Sequence, residues 1–129
     1  MGNWLARWRR SPPGARGERL AAKHLKRAGY RILTRNLRSR LGEIDILAEA
    51  PDRRTIVIVE VKSGSGGSVP PEAHLTRAKQ RKLVSLAAQL LRRYRLTQRP
   101  LRFDLIAVEL PPRGAPVVRH HEGAFEAHV

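Results

Sequence analysis

The chain has 129 residues, no cysteine and a formal net charge of +15 at pH 7. That length supports one domain with an ordinary core. The lack of cysteine excludes a disulfide framework, a thiolate zinc site and a cysteine nucleophile. So basic a surface attracts polyanions over long range, which leaves nucleic acid, ribosomal RNA or an anionic membrane as partner classes.

The charge is unevenly spread. Met1 to Arg40 carries 12 basic residues against the single acid Glu18, and Thr76 to Arg102 carries 9 basic residues and no acid. Most acids fall between these blocks, so a basic frame surrounds an acidic centre. No apolar stretch approaches the roughly 20 residues a membrane span needs. Arg7, Arg9 and Arg10 interrupt the N-terminus before a secretory h-region develops. The expectation is a soluble, cytoplasmic protein with no membrane span.

Residues 1–14 read as a basic arm and residues 15–129 as one domain. In the arm, Trp4, Leu5 and Trp8 could share a short helical face before Ser11-Pro12-Pro13-Gly14 breaks the chain; a frayed terminus fits equally well. A first helix is expected from about Ala15 to Ala28, with Leu20, Ala21, Leu25 and Ala28 as its apolar stripe and Gly29 as its stop. Glu18 points towards the buried side of that helix. Either the N-terminal helix dipole stabilises it there, or it serves as an acid in a functional site.

A basic strand is expected over Tyr30 to Arg38, where it would form an edge or wall. Glu43 to Ala50 alternates, with Ile44, Ile46 and Ala48 opposite Glu43, Asp45, Leu47 and Glu49. Pro51 to Arg54 reads as a tight connection to a strand that is apolar on both faces, Ile56 to Val59, and ends in Glu60-Val61-Lys62. These two strands should be hairpin neighbours. Ser63 to Pro71 (SGSGGSVPP) lacks a P-loop pattern and reads as a mobile connector or lid. A second helix follows from about Thr76 to Tyr94, packing Leu83, Ala87, Leu90 and Tyr94 on the sheet. Leu101 to Glu109 reads as a strand parallel to the one before the helix, and Val117-Val118 as a short final strand.

The stretch Gly42 to Lys62 carries the chemistry. Strand alternation puts Glu43 with Asp45, and Glu60 with Lys62, on single faces at roughly 7 Å spacing. Three carboxylates this close repel by a few kcal/mol per pair at an effective dielectric of about 20. A cation should offset that, and hard oxygen ligands suit magnesium or manganese. Such an ion polarises a phosphodiester, while Lys62 beside it stabilises the developing charge. Taken singly, each of these residues fits a solvated sheet face or a salt bridge. The set is less easily explained so, because Glu60 and Lys62 end a central strand, where unpaired charge is costly.

Asp45 followed by Glu60-Val61-Lys62 resembles the PD-(D/E)XK signature of the restriction-endonuclease-like superfamily, with Ile44-Asp45 standing where the signature has Pro-Asp. More widely, Gly17-Glu18, Ala21-Ala22, Leu25, Gly29-Tyr30, Asn36, Gly42-Glu43-Ile44-Asp45, Val59-Glu60-Val61-Lys62, Lys79, Phe103-Asp104 and Phe125 resemble the YraN family of small bacterial proteins. The resemblance spans about residues 14 to 126. It implies an α/β fold with a restriction-endonuclease-like mixed β-sheet flanked by helices, in the order α-β-β-β-α-β-β, similar to Holliday-junction resolvases.

It also implies Asp45 and Glu60 as metal ligands, Lys62 as the catalytic lysine and Glu18 and Glu43 as supporting acids at the magnesium or manganese centre. Arg38 and Arg40 on the basic wall, and Lys79, Gln80 and Arg81 on helix two, are the expected nucleic-acid contacts. Junction resolvases work as dimers, so a homodimer is implied as well. The chain departs from the family pattern in one place: Ser63-Gly64-Ser65-Gly66 follows Lys62 where the family usually has a basic or aromatic residue.

Other residues fit structure better. His120 and His121 are adjacent and would point to opposite faces of a strand, so a polar tail is expected there. His24 and His74 are isolated, and Asp104 reads as a buried hydrogen-bonding acid. The leading expectation is a metal-dependent, nuclease-like DNA-binding protein acting on branched structures. Two others stand beside it: a non-catalytic nucleic-acid module that retains the fold, and an adaptor that uses the Trp4 and Trp8 arm.

Overall fold

Alternating and doubly apolar strands need cover on both faces, and the two amphipathic helices supply it. In the computed structural model, residues 9–10 (backbone only) and 16–126 are described; the proposed Trp4, Leu5 and Trp8 face lies outside them. The elements are β1 (Arg9–Arg10), α1 (Arg16–Arg27), β2 (Arg31–Ser39), β3 (Gly42–Glu49), β4 (Ile56–Gly64), a 3-10 turn (Pro71–His74), α2 (Arg77–Arg93), β5 (Leu101–Glu109) and β6 (Val117–Phe125). After the two-residue β1, this is the order α-β-β-β-α-β-β. The strands form one mixed sheet in sequential order, antiparallel throughout except for the parallel β4–β5 pair joined through α2.

Alternation sorts the core into two layers. Ile56 and Ile58 of β4 pack with Leu83, Leu86, Ala87 and Leu90 of α2. Val57 and Val59 face the other way, with Ala21, Ala22 and Leu25 of α1 and Ile106 and Val108 of β5. Each of the larger aliphatic side chains contributes about 1.5–3 kcal/mol by leaving water. β4 is the central strand, as expected.

Two glycines set how closely the helices approach. A Cβ on Gly17 would lie 1.9 Å from Ser63 Oγ, so glycine there lets the first turn of α1 sit against the end of β4 with the Ser63 hydroxyl in place. On Gly42, which adopts φ 150°, it would lie 2.8 Å from Leu86 Cδ1, so glycine there lets α2 lie over the β2–β3 turn. Thr76 caps α2, its side chain accepting from the Lys79 N–H.

The final strand is longer than Val117-Val118. Its sequence, VVRHHEGAF, has little apolar alternation, yet the strand runs nine residues, and Val117 to His121 and Phe125 pair with β5 across a register shift. His120 and His121 are therefore strand residues, and the expected polar tail is corrected. The His120 Nε2–H donates to Asp104 Oδ2 (2.7 Å), while His121 meets Glu72 on the opposite face (2.8 Å).

Candidate active site

The β3–β4 ladder runs only from Ile46↔Val59 to Glu49↔Ile56. Beyond it the strands part, and Asp45 and Glu60 face each other across the gap. The Val61 N–H donates to Asp45 Oδ2 at 2.8 Å, which draws the carboxyl in between the two strands. Glu60 and Lys62, two residues apart on one face of β4, form an ion pair (Lys62 Nζ to Glu60 Oε2, 3.2 Å). The i, i+2 spacing read from the sequence thus brings three of the expected residues together.

Burial and the neighbouring Glu60, which hydrogen-bonds Asp45 and repels its charge, push the Asp45 carboxyl up to about 9. The Val61 N–H opposes the rise and Glu18 adds to it. Charge on Asp45 beside Glu60 is costly, and a cation between the two carboxyls would offset that cost. Perturbation of this kind, by desolvation together with a specific charge partner in a cleft, is characteristic of functional sites.

The pair lies in a cleft of about 470 Å³ between the strand ends and α2. Arg38 and Arg40 line it from the β2–β3 turn, Lys79 and Lys82 from α2, and Leu83 and Leu86 close its apolar side. Glu43 lines it too, but is half exposed and paired across the strands with its register partner Arg38 (3.3 Å). Glu18 approaches from α1; burial raises its proton affinity, Arg35 lowers it, and Glu43 and Glu60 raise it further.

Among the described residues, no three His, Asp or Glu side chains converge into a ready ligand cluster. The acids therefore divide: Asp45 and Glu60 form the central pair, Glu43 belongs to the rim, and Glu18 stands behind. Two carboxylates fit magnesium or manganese, which bind through one or two carboxylates and complete their shells with water and substrate phosphate.

Of the expected nucleic-acid contacts, Arg38, Arg40 and Lys79 line the cleft. Gln80 and Arg81 do not; with Arg77, Val84, Phe125 and Glu126 they border a separate groove on the other flank of α2. Lys82 was missed in the sequence, although its i+3 spacing from Lys79 puts both on one helix face.

A second polar cluster lies on the α1 side of the sheet. Asp104 is fully buried, chelated by Arg102 (2.8 Å to each oxygen) and bonded by His120 and the Gly123 N–H. Burial would raise its pKa; these hydrogen bonds outweigh burial and lower it. His24 bonds His120 at 3.1 Å, and Arg102 donates to Tyr30. Asp104 is thus the structural acid expected, while His24 has a partner that its isolation in the sequence concealed.

The model of Uncharacterised protein family UPF0102 matches residues 17–108. The chain belongs to this family, which is the YraN family. Its relatives include UPF0102 proteins of Pelobacter propionicus, 43% identical over 88% of this chain and 81% of the relative, and of Symbiobacterium thermophilum, 44% identical over 88% and 96%. The UPF0102 protein of Persephonella marina is 47% identical over 74% of this chain and 81% of the relative. The model match covers every residue of the cleft described above. No helix among the described residues is long and apolar enough to cross a membrane.

Proposed function

We propose that this UPF0102 protein is a metal-dependent, nuclease-like enzyme that binds DNA and hydrolyses its phosphodiesters, with branched structures as preferred substrates. The observation that carries this reading is the Asp45–Glu60 carboxylate pair, with Lys62 bonded to Glu60, at the floor of a cleft rimmed by Arg38, Arg40, Lys79 and Lys82. A fold needing only stability would not keep one part-buried carboxyl against another. A phosphodiester enzyme needs that pair to hold a cation and the basic rim to hold the chain.

Asp45 and Glu60 would hold magnesium or manganese, which when bound polarises the phosphate and lowers the pKa of a water. Lys62, fixed by Glu60, sits where it can stabilise charge developing on a phosphoryl oxygen. Lys79 and Lys82 are one helical turn apart and would hold neighbouring phosphates, with Arg38 and Arg40 on the opposite wall. A homodimer would bring two such clefts to a branched substrate.

The test is cleavage of a labelled panel (four-way junction, flap, duplex, single strand and RNA) with manganese or magnesium, beside Asp45→Asn/Glu60→Gln. Metal-dependent products absent from the double variant support the enzyme and rank its substrates. Salt-sensitive binding without products would replace it with the non-catalytic module.

A further inference from the structure

Asn36 and Asp104 are the buried acid and amide side chains of the described residues. Asp104 is explained by Arg102 and His120. Asn36 stands in the middle of β2, yet its backbone has φ 55°, the left-handed region that strand residues avoid. Such strain persists only where the surroundings enforce it, and it clusters at functional sites.

The register explains where the amide is needed. Arg35↔Ile46 and Leu37↔Ile44 put Asn36 opposite Asp45, and Ile46↔Val59 puts Glu60 opposite Asp45 on its other side. One row across three strands therefore reads Asn36, Asp45, Glu60. With its nitrogen facing α1, the Asn36 amide donates to Glu18 Oε2 at 2.9 Å and Oε1 at 2.5 Å. Gly17, the residue before Glu18, is what allows α1 to come this close to the end of β4.

We propose that Asn36 is a positioning residue: its left-handed backbone and amide hold the Glu18 carboxylate beside the Asp45–Glu60 pair. The proposal rests on the reading of that pair as a cation site. A carboxylate has about four acceptor positions, and the amide nitrogen, which reaches both Glu18 oxygens, fills at most two of them. Glu18 then acts as an oriented acceptor behind the two ligands. Asn36 alone suits this task, because asparagine tolerates the left-handed region and offers donors, whereas aspartate there would repel Glu18.

The experiment is a double-mutant cycle on the full chain with Asn36→Gly, Glu18→Gln and the pair, read by manganese titration and, metal-free, by urea denaturation. Glycine adopts the same backbone freely, so Asn36→Gly remains folded. Its manganese affinity falls about tenfold or more, the scale of losing an outer-shell partner. The double variant is no weaker than the worse single variant, because both changes remove one interaction.

Unchanged affinity in Asn36→Gly, or losses that multiply in the double variant, would overturn the positioning role while leaving the cation site intact. Absence of manganese binding by the wild-type chain would overturn the cation site itself, and the proposal with it. A readout without any change at Asn36 completes the test: its side-chain NH2 resonances shift on adding magnesium to wild type and stay still in Glu18→Gln. Silent resonances in wild type would also refute the proposal.

Discussion

Replacing Asp45 by Asn should stabilise the metal-free protein, the opposite of what removing a part-buried, hydrogen-bonded acid usually does. The Asp45 carboxyl, raised from an ordinary 3.8 by burial and by Glu60, keeps its proton at neutral pH. The native state then binds more protons than the unfolded state, so stability falls as pH rises from about 4 towards the raised native value. Each pH unit in that window removes about 1.4 kcal/mol, and by pH 7 the loss approaches 4 kcal/mol as an upper bound. Asparagine has the shape of the protonated acid; its oxygen still accepts from the Val61 N–H, and its amide donates to Glu60. Urea denaturation of both proteins from pH 5 to pH 8 with chelator should show Asp45→Asn gaining on wild type as pH rises, by about 2–4 kcal/mol at pH 7. Saturating manganese should reverse the order by stabilising wild type alone. A variant less stable than wild type without metal, or a gap that does not grow with pH, would refute the reasoning that Asp45 and Glu60 compete for one charge.

Other outcomes follow from the packing and the charge. Gly17→Ala sets a helix-propensity gain of about 1 kcal/mol against crowding of about 1–3 kcal/mol at Ser63; a lower urea midpoint is expected, restored by Ser63→Gly, and a stabilised Gly17→Ala would contradict the close approach. Asp104→Ala leaves Arg102 and His120 without their acid and should cost about 3–5 kcal/mol by denaturation. Because the Asp104 pKa is lowered, its contribution is present above about pH 4 and is lost as pH falls through the lower native value; the acid limb, followed by circular dichroism, should be shallower in Asp104→Asn than in wild type, with Glu72 still contributing to what remains. Lys79→Gln and Lys82→Gln should each reduce the log–log salt slope of duplex binding by about 0.9, whereas Arg92→Gln, on the last turn of α2, should leave it unchanged.

Much of the centre was legible because strand chemistry is local. The i, i+2 spacing of Glu60 and Lys62 fixed their shared face, the doubly apolar run before them fixed β4 as central, and Pro51 to Arg54 fixed the hairpin. What escaped depends on register or on helix phase. That Glu43 would meet Arg38 follows from the β2–β3 pairing, and nothing local to Glu43 signals it. Gln80 and Arg81 lie next to Lys79 in sequence, yet 100° and 200° of helical rotation take them out of the cleft and leave Lys82 in it. β6 was foreshortened because Arg119, His120, His121 and Glu122 break apolar alternation; their place is set by partners elsewhere, Glu72 and Glu109 for Arg119, Asp104 for His120 and Tyr30 for Glu122. Asn36 carried no local sign of its left-handed backbone, since β2 has no turn pattern there.

On the proposed function, Asp45 and Glu60 together hold one divalent cation. This is tested most directly by calorimetric titration of the metal-free chain with manganese at pH 7, in two buffers of different ionisation heat. One ion should bind with release of about one proton, the proton held by Asp45, and Asp45→Asn should bind none. Binding that survives in Asp45→Asn, or a wild-type chain that takes up no manganese, would contradict it.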